Sequence, residues 1–334
     1  NGTQSPLVDL KVKIDANTGE VLEAHKDIIS TYIDDGYPLD YISKGYLLYK
    51  RHHTEDDNEY ESLWIYDIEA KKREKLYMSK YKIDIASFSP NGEHISLIEM
   101  DKDQSDLYII SKVDRIPYKI TPVGHLHPRL IKWKDNNTLC FANINDKNSM
   151  LLSYNIDSNE TKVEFNLGKK IEEFDIIGDK FLFVESDENS LNKNIYLANG
   201  DLTLKELNVG FKAKFFDDNN IIYLKNMEKK DNNVLYIYNI ETGKIQNSLN
   251  YDIANYLKLN EENIAFIEKN TCNNNYSLIN YSIIENTMEP IAVIISDRIF
   301  YNQDKSEGYI AITSPSEDKG SIIYSLDLSS NIEN

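Results

Sequence analysis

Side chains with the chemistry to bind a ligand gather in a few polar segments of this sequence. His52 and His53 are consecutive, and His125 and His127 lie just before Arg129. Imidazole nitrogens near carboxylates can hold zinc or another divalent cation. In an extended strand, however, the two rings of a His-x-His pair point to opposite sides, and no His-x-x-x-His helix or cysteine cluster accompanies them. We therefore expect solvated histidines and no metal site.

A second polar segment carries carboxylates at short spacing. Asp101, Asp103 and Asp106, together with Ser105, resemble the first half of a calcium loop. The segment lacks the glycine at the sixth position and the terminal glutamate of that loop. Calcium is therefore not expected either, and no cofactor is predicted.

No arrangement of residues in this chain names a reaction. The sequence has no Gly-x-Ser-x-Gly elbow, no glycine-rich phosphate loop and no basic patch with interleaved aromatic residues. Two carboxylates from distant segments could meet in the fold, but nothing singles out a pair. Enzyme activity is therefore the less favoured interpretation.

Short strands at a regular spacing must position these side chains. One six-residue phrase recurs along the chain. Its first position is apolar, and its fifth is either a small polar residue or an acidic one. It begins at residues 63, 107, 151, 195, 235, 278 and 323. Its copies lie 40 to 45 residues apart, a period typical of β-propeller blades. Four apolar runs surround the second copy, and the first two are joined by Asn91-Gly92, a strong hairpin signal. We predict an all-β fold, a seven-bladed β-propeller with four-stranded antiparallel blades.

The two ends of the chain indicate how such a ring closes. The last repeat has no clear fourth strand, whereas the amino end carries half a repeat, and an open blade would leave unpaired strand edges. We expect a strand from Leu7–Ile14 or Val21–His25 to close the ring, with eight blades as the alternative. The predicted propeller spans residues 38–334 after a linker and closing strand or hairpin at 1–37, with blades at about 38–80, 81–124, 125–168, 169–210, 211–250, 251–293 and 294–334.

One repeat resembles a known family. Residues 87–92, Ser-Phe-Ser-Pro-Asn-Gly, precede an apolar strand, and together they resemble the TolB-type, WD-repeat-like propeller repeat. The other six repeats keep the period but not the Ser-Pro turn. The resemblance implies the propeller fold and a role typical of the family, either an extracytoplasmic binding module or the non-catalytic propeller of a peptidase, by fold-level analogy.

The blade geometry predicts one functional face. The loops between second and third strands read as long and mostly acidic, as at residues 54–61 and 101–106, and they share a face with the links between blades. Long loops on a rigid scaffold are where binding residues concentrate. We predict a binding face that comprises His52, His53, Tyr60, Asp101, Asp103, Asp106, His125, His127 and Arg129.

The net charge and the first residues of the chain indicate which partners and which location to expect. The net charge of −18 disfavours nucleic acid and anionic lipid as partners, and no apolar run is long enough to span a membrane. The chain begins at Asn1 rather than Met, and its first residues read as a linker from a removed anchor, which predicts a location in the cell envelope.

We predict a non-catalytic, extracytoplasmic binding or interaction propeller of an anchored bacterial protein or lipoprotein, with a protein or glycan ligand. One alternative is an enzyme that uses the central channel, either a glycan lyase or hydrolase or a metal-dependent lactonase. The other alternative is a ligand-sensing domain of a membrane-anchored protein. The sequence does not indicate an oligomeric state.

Overall fold

The computed structural model describes residues 11–15, 21–25, 29–42, 44–55, 58–102, 104–120, 128–144, 148–187, 190–199, 203–227, 231–270, 275–294, 296–302, 308–312 and 321–327. The description is limited to the backbone at residues 11–15, 21–25, 29, 55, 58, 128–129, 302 and 311–312. The chain divides into two compact units, the first formed by residues 1–52, 65–73 and 251–334 and the second by residues 53–64 and 74–250. Within the described ranges every regular element is a β-strand, and no helix capable of crossing a membrane is present.

The amino-terminal strands are β1 (Lys11–Asp15), β2 (Val21–His25) and β3 (Ile29–Asp35). The first set of four is β4 (Tyr37–Ile42), β5 (Tyr46–Glu55), β6 (Asn58–Asp67) and β7 (Lys72–Ser79). The next two sets are β8 (Lys82–Phe88), β9 (His94–Asp101), β10 (Gln104–Ser111), β11 (Pro117–Ile120), and β12 (Pro128–Trp133), β13 (Thr138–Ile144), β14 (Ser149–Asn155), β15 (Glu160–Asn166).

The second unit continues with β16 (Ile171–Ile177), β17 (Lys180–Glu185), β18 (Lys193–Ala198), β19 (Leu204–Phe215), β20 (Asn220–Met227), β21 (Asn232–Asn239) and β22 (Lys244–Leu249). The first unit resumes with β23 (Ile253–Lys258), β24 (Asn263–Lys269), β25 (Tyr276–Ser282), β26 (Thr287–Ile294), β27 (Ile299–Asn302), β28 (Gly308–Ile312) and β29 (Ile322–Asp327).

Antiparallel sheets of four consecutive strands are the repeated unit of this chain. Strands β4–β7, β8–β11 and β12–β15 each form one four-stranded sheet, and β23–β26 form another whose edge also carries the β1–β2 hairpin. Strands β16–β22 form a seven-stranded sheet because the long strand β19 pairs with β18 along its first half and with β20 along its second. The all-β prediction and its four-stranded antiparallel sheets are confirmed.

Apolar side chains are buried between sheets that follow one another along the chain. The second strand of each sheet is therefore buried on both faces, and it reads as a continuous apolar run rather than an alternating one. Core clusters among the described residues combine side chains from successive sets of strands, for example Leu107 with Phe141, Leu151 with Phe183, Leu182 with Tyr223, and Leu278 with Tyr309.

The small polar residue of the repeated phrase closes the turn between the third and fourth strands. Asn155 accepts a hydrogen bond from the Ser158 N–H at 3.0 Å, and Asp67 accepts one from the Ala70 N–H at 2.8 Å. Ser111, Asn239 and Ser282 make the same contact with the N–H three residues ahead. The residue one position further on has a positive φ between 51° and 68° at Lys71, Arg115, Asn159, Gly243 and Asn286. The repeat is thus a turn signal as much as a strand signal.

First strands share an irregularity that the sequence did not predict. The pairing of the first with the second strand shifts register in β4, β8, β12, β16, β19 and β23. Such a bulge adds an unpaired residue and re-aims the neighbouring side chains.

The N-terminal strand that completes the last sheet is β3, which pairs with β29 in the order β27-β28-β29-β3. An N-terminal strand was expected there, but both segments proposed for it are wrong. Val21–His25 forms β2, and the last residues of the other segment lie in β1, which pairs with β26.

Two glycines allow close approach of neighbouring strands. Gly36, which follows β3, lies so close to β5 that a Cβ there would be 2.7 Å from the Lys50 carbonyl oxygen. Gly210, within β19, lies so close to the Tyr223 ring that a Cβ would clash with it.

A buried carboxylate ties β3 to the sheet that follows it. Asp34 is 1% exposed and accepts hydrogen bonds from the Tyr49 hydroxyl at 2.6 Å and from Arg73 Nη1 at 2.8 Å. Arg51 Nη1 lies 3.5 Å from the same carboxylate. A buried anion is tolerated only with such partners, so Asp34 holds β3 in one position relative to β5 and β7.

Replacing Asn155 by Ala should lower the free energy of unfolding by about 1 kcal/mol, because the Ser158 N–H loses its acceptor. Asn155→Asp keeps an acceptor oxygen and should be close to wild type. Chemical denaturation followed by tryptophan fluorescence measures both, and equal stability of the Ala and Asp variants would contradict the role of the side chain.

Asp34→Ala should cost about 3 kcal/mol, because it leaves the buried Tyr49 hydroxyl and two arginines without their shared partner. The adjacent Asp35, which is exposed, provides the matched control. Asp35→Ala should change the unfolding midpoint little, and similar midpoints for both variants would show that Asp34 does not fasten β3.

Candidate functional site

The structure brings together only part of the predicted binding face. His53 stacks on Tyr60 with ring centroids 4.9 Å apart and planes 11° from parallel, and its Nε2 lies 2.6 Å from Ser62 Oγ. His52 is exposed, on the opposite side of β5. Tyr60 also lines an open cleft of about 720 Å³, which we name the tyrosine cleft after Tyr60, Tyr77, Tyr81 and Tyr108.

The acidic loops expected on this face are mostly strand. Strand β9 continues to Asp101 and β10 begins at Gln104, and likewise β5 ends at Glu55 and β6 begins at Asn58. Asp101 is exposed, whereas Asp106 pairs with Lys119 at 2.6 Å. The strands extend further than predicted because their backbones stay paired through the polar residues.

The side chains of the remaining predicted site residues are not described by the structure. Asp103, His125 and His127 lie outside the described residues. Arg129 is the extra residue of the bulge in β12, between the paired positions Pro128 and Leu130, and its side chain is not described. The predicted face therefore stays a prediction.

Charged side chains from three successive first strands form a second candidate site, which we name the lysine–carboxylate cluster. It comprises Lys132 on β12, Glu173 and Asp175 on β16, and Lys212 and Lys214 on β19, all within the second unit. Lys132 Nζ lies 2.5 Å from Asp175 Oδ1, and Asp175 Oδ2 accepts the Phe215 N–H at 2.9 Å. Asp175 therefore binds both neighbouring strands and fixes the three strands relative to one another.

Irregular backbone positions the residues of this cluster. The bulge in β16 makes Glu172 the extra residue, so that Glu173 and Asp175 lie two apart on one face of the strand. In β19 two residues, Lys212 and Ala213, lie between the paired positions Phe211 and Lys214, whereas the partner strand has only one residue, Tyr223, in the matching interval. Lys212 has a φ of +49°, a conformation that side-chain-bearing residues adopt at a cost and that recurs at functional sites.

The environment changes the proton affinity of two groups in opposite directions. The Lys214 side chain reaches water, but surrounding protein removes much of its hydration, and this desolvation lowers its pKa, with the Lys132 charge acting in the same direction. Burial raises the pKa of Glu173, although the Lys212 N–H, 3.2 Å from its Oε1, opposes the shift. The pKa of Lys214 is thus shifted towards the neutral amine and the pKa of Glu173 towards the protonated acid, a combination typical of acid–base sites.

The described residues do not offer a donor set for a metal ion. No group of three His, Cys, Asp or Glu side chains within them is arranged to hold one. In the lysine–carboxylate cluster the ammonium of Lys132 and a backbone N–H occupy the oxygens of Asp175. This cluster therefore suits an anionic ligand rather than a cation.

Sequence reasoning missed the lysine–carboxylate cluster entirely. The available signal was charge at alternate positions inside two first strands, Glu173 and Asp175 in one and Lys212 and Lys214 in the other. Alternation of this kind is typical of the solvated face of a strand. Only the fold shows that the charged faces of β12, β16 and β19 lie next to one another.

No protein-family model matches this sequence, and no curated protein is significantly similar to it. Solved structures do match. An oligogalacturonate lyase from Vibrio parahaemolyticus is 12% identical over 98% of this chain and 99% of that chain, with a TM-score of 0.68. An oligogalacturonate lyase in complex with manganese is 11% identical over 98% of both chains, with a TM-score of 0.67.

The β-propeller domain of the Trilobed protease from Pyrococcus furiosus is 14% identical over 89% of this chain and 95% of that chain, with a TM-score of 0.66. The chain has the β-propeller fold. The resemblance to the TolB-type propeller repeat is thereby confirmed at the level of the fold, and identities this low show the fold alone.

The prediction of a non-catalytic binding propeller is wrong. The two lyases match nearly the whole chain, and they are enzymes built on this fold, which favours the enzyme alternative. The prediction relied on the absence of a local catalytic motif, and this absence does not exclude an enzyme, because residues that act together can come from distant strands.

Lys214 should titrate below the ordinary lysine pKa, because desolvation and the Lys132 charge disfavour its ammonium form. NMR of reductively ¹³C-methylated protein measures this pKa, with Lys214→Arg assigning the signal. Lys132→Met should raise the pKa of Lys214, since it removes a like charge and releases Asp175. Lys162→Met, on β15, is the matched control and should leave the signal unchanged; a Lys214 that titrates with the surface lysines would contradict the assignment.

Proposed function

We propose that this chain is a seven-bladed propeller enzyme that cleaves an acidic oligosaccharide by β-elimination at the lysine–carboxylate cluster. The observation that carries the proposal is the meeting of three lysines and two carboxylates from three successive first strands, with Lys132 Nζ 2.5 Å from Asp175 Oδ1 and the Lys212 N–H 3.2 Å from Glu173 Oε1. Within this cluster the pKa of Lys214 is lowered and the pKa of Glu173 is raised. General acid–base catalysis needs such a pair of groups with proton affinities moved towards the working pH.

The sheet order supports the count of seven blades. Strands β4–β7, β8–β11, β12–β15 and β23–β26 supply one blade each, and β16–β22 supply two because β19 serves both. The seventh consists of β27–β29 and β3. In a propeller the blades surround a central channel, and the first strand of each blade is the one nearest to it.

Lys214 is the proposed base. In its neutral form it takes the proton from the uronate carbon next to the carboxylate, and the electron pair of that C–H bond forms a C=C double bond. Lys132 and Lys212 add positive charge beside the substrate carboxylate, whose negative charge grows as the proton leaves. Desolvation lowers the pKa of Lys214 and so favours this neutral form.

Glu173 is the proposed acid. As the double bond forms, the bond from the neighbouring ring carbon to the glycosidic oxygen breaks, and the protonated carboxyl group of Glu173 donates its proton to that oxygen. Burial raises the pKa of Glu173 and so favours the protonated form that this role requires. Water then exchanges protons with both groups and restores the starting state.

Elimination fits this site better than hydrolysis does. A hydrolase needs a second carboxylate that is free to act as nucleophile or base. The only partner on the same face as Glu173 in β16 is Asp175, and both of its oxygens already accept hydrogen bonds.

The substrate class follows from the charge of the cluster and from the matched enzymes. Three lysines converge in a protein whose net charge is −18, a local excess that suits a carboxylate-bearing sugar. The names of the two matched lyases specify oligogalacturonate, so an oligogalacturonate is the first substrate to test. The manganese of one of those structures has no counterpart among the donor groups described here, and no step of the proposal uses a metal.

Incubation of the purified protein with oligogalacturonate should generate ultraviolet absorbance from the new double bond conjugated to the carboxylate. Lys214→Arg keeps the positive charge but cannot act as a base, so it should lower the rate about a hundredfold to ten-thousandfold. Lys162→Met should have wild-type activity.

Three results would overturn the proposal. These are the absence of unsaturated product across acidic oligosaccharides, an active Lys214→Arg enzyme, or new reducing ends without absorbance, which would indicate hydrolysis. The predicted cell-envelope location stays a prediction, and so does the predicted protein or glycan ligand.

A further inference from the structure

The tyrosine cleft contains a buried carboxylate with an unfilled hydrogen-bonding position. Glu99 is 4% exposed and lines the cleft with Tyr77, Tyr81 and Tyr108. Its Oε1 is buried and accepts no hydrogen bond from any described residue. A buried, unsatisfied carboxylate oxygen is costly unless a donor reaches it, so this atom points to a ligand.

Neighbouring groups leave Glu99 without a cation of its own. The Tyr77 hydroxyl is one partner, since burial and then its hydrogen bond to Glu99 raise the pKa of Tyr77. The ammonium of Lys119 acts on Glu99 from a distance because it bonds Asp106 at 2.6 Å. Among the described residues no ion pair to Glu99 is formed.

The walls of the cleft suit a cation as well. Four tyrosines line it, and the negative face of an aromatic ring attracts ammonium and guanidinium groups. Lys80, at the edge of the cleft, already shows this contact, with its Nζ 5.5 Å from the centroid of the Tyr81 ring. Glu59 adds a second carboxylate to the lining, so acidic groups outnumber the one lysine.

We propose that the tyrosine cleft binds a primary ammonium or guanidinium group, which donates a hydrogen bond to Glu99 Oε1 and packs against the tyrosine rings. The group can belong to a free polyamine or to a lysine or arginine side chain of a peptide. This site uses β6, β7, β9 and β10 and does not depend on the proposed elimination.

Calorimetric titration with spermidine and with a lysine tripeptide tests the proposal and distinguishes the two sources. Binding of either probe supports it, and the tighter probe identifies the source. A norleucine tripeptide, which lacks the charge, should bind at least tenfold more weakly. Maltotriose, a neutral sugar, should not bind.

Variants locate the binding. Glu99→Gln should weaken it about tenfold, because a charged hydrogen bond becomes a neutral one. Tyr81→Leu should weaken it about threefold. Glu160→Gln removes the same charge from β15, in another sheet, and should leave the affinity unchanged.

Unfolding midpoints measured for each variant separate lost binding from lost structure, and Tyr81→Leu carries the test if Glu99→Gln is unfolded. No binding of either cationic probe overturns the proposal. Equal affinity of folded wild type and variants, or binding of maltotriose in place of the cations, also overturns it.

Discussion

The pairing of β3 with β29 is the constraint on which the rest of the structure depends. Without β3 the sheet β27–β29 would end in a row of unpaired backbone groups at β29. The two strands come from opposite ends of the sequence, so this sheet is complete only when the whole chain is present. Asp34 makes the pairing specific, because the side chains that bind its buried carboxylate come from β5 and β7.

The sequence predicts the fold well because each position of the repeated phrase has a local structural requirement. The polar fifth residue, such as Asn155, is required by the turn that follows it, and the apolar runs are required by burial on both faces of a strand. It misplaced the closing strand because β1, Lys-Val-Lys-Ile-Asp, alternates polar and apolar residues, whereas β3, Ile-Ser-Thr-Tyr-Ile-Asp-Asp, does not. The contacts that hold β3 in place come from other strands, such as those of Tyr49 and Arg73 with Asp34.

The candidate sites were harder to predict, and for a common reason. Tyr60 was singled out from its loop, and it does line a cleft, but Tyr77, Tyr108 and Glu99 complete that cleft from strands whose sequences look like ordinary blade packing. Lys214 and Glu173 lie in strands that meet only through the fold. Bulges, which leave no clear trace in a single sequence, decide which of these side chains share a face.

The lysine–carboxylate cluster suits an anionic ligand and the tyrosine cleft suits a cationic one, although both lie in the second unit. Screening of charges by salt makes this possible. At physiological ionic strength charges are screened over about 8 Å, so a bound group responds to its immediate neighbours rather than to the net charge of −18. Three lysines can therefore attract a carboxylate at one place while Glu99 attracts a cation at another. The overall acidity, which disfavours nucleic acid and anionic lipid as partners, affects the approach of a ligand at long range, whereas the neighbouring charges determine its recognition at contact.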